Sequence, residues 1–313
     1  MRFGTVDTFL SLNRDDLRIG RNVANHEFLK ALLTTGTFDE YHVFLPDWEH
    51  LEVFRQHLAL LVPDPYLRRR VRPTLQIALK ERLEELEFTV FHQGDFTRFL
   101  PYLAPLRDRY ARNRFPLTGT THSLNLYLMA QRYLQLGLAR LAPFDAIVCT
   151  SAAGALAVRK GYDQMRQRML EGFGLDLPLE ARLEQIPLGI DDARFELPDK
   201  AAARRQLQLP ADATLALVLG RMSTRAKMDP VPLLEALADR WRAGGLPSLT
   251  LVLAGGAESA ELQALKRRLA TLEIADRVIV RPDFDEADKS AYYAASDVFL
   301  ALSDNLQETF GLS

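Results

Sequence analysis

The sequence is constrained most by an alternation. Short runs of apolar and β-branched residues, each closed by turn formers, are separated by longer stretches with apolar residues every three or four positions. Tyr41-His42-Val43-Phe44-Leu45 runs into Pro46-Asp47, and residues 87–91 run into His92-Gln93-Gly94-Asp95. Phe115-Pro116-Leu117-Thr118 meets Gly119, and residues 145–150 meet Ser151-Ala152-Ala153-Gly154. Residues 2–6 add a first strand. Helical spacing runs over 25–33, 75–86 and 123–141, the last carrying Leu124, Tyr127, Leu128, Gln131, Leu134 and Leu138. Strands that are apolar throughout, with a helix after each, specify a parallel sheet covered by helices.

The pattern restarts after a crossing segment. Residues 188–200 mix Gly, Pro and acidic residues and divide the chain into domains 1–188 and 189–313. A helix over 201–209 leads to a strand over 214–219 that ends at Gly220. A helix over 230–241 has its face at Leu233, Leu234, Leu237 and Trp241. A strand over 249–254 is closed by Gly255-Gly256, a tight strand-to-helix turn. Leu262, Leu265, Leu269 and Leu272 mark the next helix, and 287–295 is a further helix between strands at 277–280 and 297–302. The fold class is therefore α/β, with two Rossmann-like domains. The second has four strands where a doubly wound domain has about six. The chain ends at Phe310-Gly311-Leu312-Ser313, where a strand-end loop should enter a helix, so a truncated second domain is expected.

Composition removes several function classes. Thirty-nine basic residues against forty-one acidic ones give a net charge of −2, so the chain is no counter-ion for nucleic acid. Cys149 has no second cysteine to pair with and reads as a buried small hydrophobe. No stretch approaches the 18 apolar residues of a membrane span. The expectation is a cytoplasmic protein, with peripheral contact at the inner membrane face and homo-oligomerisation left open. Arg68-Arg69-Arg70-Val71-Arg72 reads as a solvated basic face, with anionic lipid as the alternative. His50 and His57, seven apart, suggest packing or exposure and no metal site. The sequence lacks Gly-x-Gly-x-x-Gly, HExxH and CxxC, which argues against a nicotinamide enzyme or a structural zinc.

Ligands of open parallel sheets gather at the carboxyl ends of strands. In this reading Arg221 and Lys227 follow one strand end, Glu308 and Gly311 another, and His122 a third. Two cations beside one phosphate supply electrostatic stabilisation that grows as water is excluded. Taken singly, Arg221 and Lys227 read as ordinary surface charges and Glu308 as a surface or capping carboxylate; together, at two strand ends of one domain, they weigh toward a site. His122 could pack the helix it precedes, and Ser151 could cap the next one.

Two ordered segments carry a sharper signal. Val218-Leu219-Gly220-Arg221-Met222-Ser223-Thr224-Arg225-Ala226-Lys227 resembles the donor-site segment of retaining GT-B glycosyltransferases, in particular the sucrose-synthase-like and mannosyltransferase-like (GT4-like) family. Residues 295–313, with Ser303-Asp304-Asn305-Leu306-Gln307-Glu308-Thr309-Phe310-Gly311, resemble the entry to its paired-glutamate motif. The resemblance implies two Rossmann-like domains facing a cleft. It also implies transfer of a sugar from a nucleotide-sugar co-substrate to a glycan, lipid-linked or small-molecule acceptor, with retention and without a bound metal or permanent cofactor. It assigns Gly220, Arg221 and Lys227 to the donor diphosphate and Glu308 to the transferred sugar. Phe310, Gly311 and Leu312 would form the turn beside it. On the N-terminal side it assigns His122, in Thr120-Thr121-His122-Ser123, and Gly20, in Ile19-Gly20-Arg21-Asn22. The family's second glutamate falls beyond Ser313, so residues 1–313 alone are expected to be catalytically incomplete. A GT-B-like sugar-nucleotide epimerase and a non-catalytic carbohydrate-binding relic are the other readings.

Overall fold

A computed structural model describes residues 1–10, 20–124, 128–189, 196–224, 227–282 and 285–302. The chain divides into two compact units, with the boundary between residues 190 and 191.

In the first unit the order is β1 (Arg2–Thr5), α1 (Gly20–Thr35), β2 (Glu40–Leu45), α2 (Trp48–Leu61), α3 (Pro65–Arg68), β3 (Val71–Leu75), α4 (Leu79–Glu85) and β4 (Val90–Gln93). It continues with α5 (Phe96–Tyr110), β5 (Leu117–Thr120), α6 (Met129–Ala139), β6 (Ala146–Cys149), α7 (Ala152–Phe173) and β7 (Arg182–Gln185). The strands form one parallel sheet in the order β3-β2-β1-β4-β5-β6-β7. Tyr41 to Leu45 on β2 are all buried, as a run apolar on both faces requires. Helix starts are set by side-chain caps: Asp47 accepts from His50 N, Asp95 from Thr97 N and Ser151 from Gly154 N. Ser151 is therefore a cap. Cys149 is fully buried, and burial pushes its thiol up to about 11.

The second unit runs α8 (Lys200–Gln206), β8 (Thr214–Leu219), α9 (Val231–Arg242), β9 (Leu249–Ala254), α10 (Ser259–Thr271), β10 (Val278–Arg281), α11 (Lys289–Ala295) and β11 (Val298–Phe299). Its parallel sheet has the order β10-β9-β8-β11. Leu215 to Leu219 are all buried at the centre of it.

Both units use one device, buried in the first and part-exposed in the second. An Asp just before a strand accepts the backbone N–H that opens the neighbouring strand and pairs with an Arg from a helix. Asp145, before β6, accepts from Leu117 N at 2.8 Å and Arg107 Nη1 of α5 at 2.5 Å. Asp297, before β11, accepts from Leu215 N and from Arg204 Nη2 of α8, both at 2.7 Å.

Several elements differ from the sequence reading. The helix expected over 123–141 is α6, which begins only at Met129. Thr121 N still donates to Val148 O at 2.8 Å, so the chain keeps strand register past β5. The helix expected from residue 75 starts at Leu79, after β3 and a 3-10 turn at Gln76–Ala78. The basic run is only partly a solvated face. Arg70 donates to Gly36 O, Phe38 O and the Tyr66 hydroxyl, and Val71 is buried in β3.

Candidate active site

In the second unit, strand order reverses between β8 and β11, so the crevice at their carboxyl ends is where a doubly wound sheet binds ligands. The chain leaving β8 is held there by its neighbour: Gly220 N donates to Ala254 O at 2.9 Å and Met222 N to Gly256 O at 2.8 Å. Gly220 (φ +155°) and Gly255 (φ +148°) adopt backbone open to glycine alone. A Cβ on Gly255 would stand 1.8 Å from Gly220 O, so two strand ends touch backbone to backbone. Met222 and Met228 are buried and pin both ends of the following loop. Beside these anchors, Arg221 just before Met222 is exposed and Lys227 just before Met228 is half-buried. Lys227 N and Met228 N both donate to Ser223 O at 3.0 Å, which closes the loop on itself. The result is a backbone-fixed platform presenting two cationic residues at the switch point, suited to a polyanionic ligand such as a diphosphate.

In the first unit the reversal lies between β1 and β4. His122, after β5, places Nε2 2.6 Å from Gly94 O and 3.2 Å from Asn25 Oδ1, so Nε2 carries the proton and donates. His92, on β4, stacks on Phe9 and packs against Phe28, with Nδ1 2.8 Å from the Thr118 hydroxyl. Burial holds both imidazoles down to about 4, and for His92 the neighbouring His122 adds to it. Asp7, two residues past β1, accepts from Phe9 N at 3.0 Å, and burial raises its carboxyl above the usual range. Asp95 caps α5 and lies 3.5 Å from Arg21. Two neutral imidazoles and the Asp95–Arg21 ion pair thus line this strand end, in contrast to the cationic loop of the second unit.

The two histidines give a pH expectation. Their folded pKa of about 4 lies below the unfolded 6.5, so between those values the unfolded chain binds more protons. Stability should fall as pH drops from about 6.5 to about 4, by a few kcal/mol in total. Urea unfolding between pH 7 and pH 5 checks this. His92→Phe, which keeps the aromatic packing, should flatten the slope, and an unchanged slope would remove His92 as a source.

The sequence-assigned residues are therefore distributed as follows. Gly220, Arg221 and Lys227 come together in the second unit, and His122 stands at the switch-point edge of the first. Gly20 opens α1, where an added Cβ would meet nothing of the protein. Glu308, Phe310, Gly311 and Leu312 lie outside the described residues. Sequence reasoning missed Asp7, Asn25, His92 and Asp95. The available signal for Asp7 and Asp95 was their place as early polar residues after two strands. No helix among the described residues is long and apolar enough to cross a membrane. No group of three or more His, Cys, Asp or Glu among them is placed to hold a metal ion.

Residues 199–313 match the family model of glycosyl transferases group 1. The chain is a distant, partial relative of that family. The D-inositol 3-phosphate glycosyltransferase of Kineococcus radiotolerans is 30% identical over 154 residues, 48% of this chain and 34% of that protein. D-inositol 3-phosphate glycosyltransferase 2 of Catenulispora acidiphila is 31% identical over 182 residues, 56% of this chain and 39% of that protein. The chain thus spans about a third of the length of the curated relatives it matches. Among solved structures, Anabaena HepE in complex with UDP superposes with a TM-score of 0.66 at 18% identity, over 97% of this chain and 74% of HepE. Sucrose-phosphate synthase from Thermosynechococcus elongatus gives 0.60 at 17% identity, over 99% and 77%. At such identities the likeness establishes fold alone: the two Rossmann-like α/β sheets, seven- and four-stranded among the described residues, match the GT-B architecture.

Proposed function

We propose that the protein transfers a sugar from a nucleoside-diphosphate sugar to an acceptor, with retention of anomeric configuration and without a metal ion. The observation that carries this reading is the anchoring of Gly220 and Met222 on the end of β9 and of Lys227 on Ser223 O, at the switch point of the second sheet and inside the segment that matches the group 1 family. Residues 189–313 would hold the donor and residues 1–188 the acceptor. Arg221 and Lys227 would balance the charge that builds on the diphosphate as the glycosidic bond breaks and the sugar gains oxocarbenium character. Fixed cations do this without reorganisation, as oxyanion donors do. Glu308 would orient hydroxyls of the transferred sugar, with the turn at Phe310, Gly311 and Leu312 beside it. His122, neutral at pH 7 and donating from Nε2 into the protein, would orient the donor or acceptor.

Calorimetry with UDP, GDP and ADP, followed by incubation with donors labelled in the sugar and chelator present, tests the proposal. One base should bind in preference, and the label should appear in a new glycoside of unchanged configuration. A folded protein that binds none of the three nucleotides would overturn it. A labelled donor returned as its epimer would convert the reading to an epimerase.

A further inference from the structure

Among the described residues, the sheet of the first unit has two open edges. On the β3 edge, Pro73 lacks an N–H and Arg72 lies 3.7 Å from Glu40 of the neighbouring strand. The β7 edge is different. Arg182 N donates to Asp145 O at 2.9 Å and Ile186 N to Cys149 O at 3.0 Å. Alternate residues of a parallel strand turn their N–H and C=O to the same side, so the N–H and C=O of Leu183 point out of the sheet. Beside this edge a groove of about 490 Å³ is lined by Arg159, Asp163 and Arg166 of α7 and by Arg182, Leu183 and Glu184 of β7.

We propose that β7 is a dimerisation edge and that its occupant is β7 of a second copy of this chain, antiparallel about a two-fold axis through Leu183. In that register the two Leu183 residues form the hydrogen-bonded pair of an antiparallel ladder and exchange both N–H···O bonds. Arg182 then stands opposite Glu184 of the partner subunit, on one face, and the reverse pair follows by symmetry. Within one strand these charges approach only to 3.6 Å. Across the axis they form two reciprocal cross-strand ion pairs. The wall of the groove is self-complementary too, because Arg159 and Asp163 are one helical turn apart with opposite charge. Exposed apolar residues sit at both ends of it. Leu156 and Ile186 are at one end, and Leu170 and Phe173 at the other, between 50% and 72% exposed. Antiparallel pairing brings each end against its opposite. An isologous interface of this kind closes at two subunits.

Sedimentation equilibrium over a concentration series should show a monomer–dimer equilibrium. Arg182→Glu leaves two acidic residues on the strand, and Glu184→Arg leaves two basic ones. Each variant alone should lose the dimer, and an equimolar mixture of the two should regain it as a heterodimer. Circular dichroism of each variant confirms folding, and Leu183→Pro, which deletes an N–H unused in the chain's own sheet, should also be monomeric. Wild-type protein monomeric at every concentration overturns the proposal. So does a dimer that survives both charge variants, or one that the mixture fails to restore.

Discussion

Lys227→Ala is expected to lower sugar transfer by about 10²–10³-fold, the effect of deleting one fixed electrostatic donor from a transition state. The protein should stay folded. The Lys227 backbone N–H keeps its bond to Ser223 O, and buried Met222 and Met228 keep the loop in place. Arg221→Ala should cost about as much, since Arg221 is exposed and the backbone of residue 220 is held independently by Ala254 O. Arg221→Lys should recover only part, because a point charge replaces a fork that can grip two oxygens. Steady-state kinetics and nucleotide calorimetry on the three variants, with melting curves as a folding control, decide the matter. Unchanged affinity and turnover in Lys227→Ala would take that side chain out of the site.

The cationic loop was legible in the sequence because everything around it obeys local rules. β8 and β9 are buried on both faces and read as continuous apolar runs, and the glycines after them are required by a backbone contact. The first unit is harder. α5 contains Pro101 and Pro105, which break the expected helical spacing by deleting two backbone donors. The helix persists because Asp95 caps it and Phe96, Leu100, Leu103, Ala104 and Arg107 are all buried. β3 carries Arg72 and Pro73, and β7 reads Arg-Leu-Glu-Gln. Neither edge strand needs a run that is apolar on both faces, so neither showed one. The polar edge of the first unit was hidden for another reason. Asp7 and His122 follow β1 and β5 and His92 lies on β4, and only the order β1-β4-β5 makes them neighbours. Periodicity specifies strands but not their order.

Asp145→Ala is expected to produce a large loss of stability, about 3–5 kcal/mol, because it takes from the buried guanidinium of Arg107 its one fully buried carboxylate, leaving it Phe115 O and the half-exposed Asp108. Arg107 and Asp145 side chains are both almost wholly inaccessible, at 1% and 0%. The carboxylate also accepts from Leu117 N and, at 2.7 Å, from Ala142 N, so removal leaves two further donors short of a partner. Asp297→Ala in the second unit removes the same kind of hub, but that carboxylate is 30% exposed, and water can replace part of what is lost. Its smaller contribution should also depend on pH. The bond from Lys200, with help from Leu215 N and Arg204, holds Asp297 below the usual carboxylate value. Its contribution is complete above the unfolded pKa of 3.8 and fades as pH falls through the folded one. Urea unfolding at pH 7 should therefore rank Asp145→Ala well below Asp297→Ala in stability. If the loss in Asp145→Ala is the penalty of an under-compensated buried charge, Arg107→Met combined with Asp145→Leu should be more stable than Asp145→Ala alone. A double variant no more stable than the single one would mean that the backbone donors of Leu117 and Ala142, and not the ion pair, are what Asp145 serves.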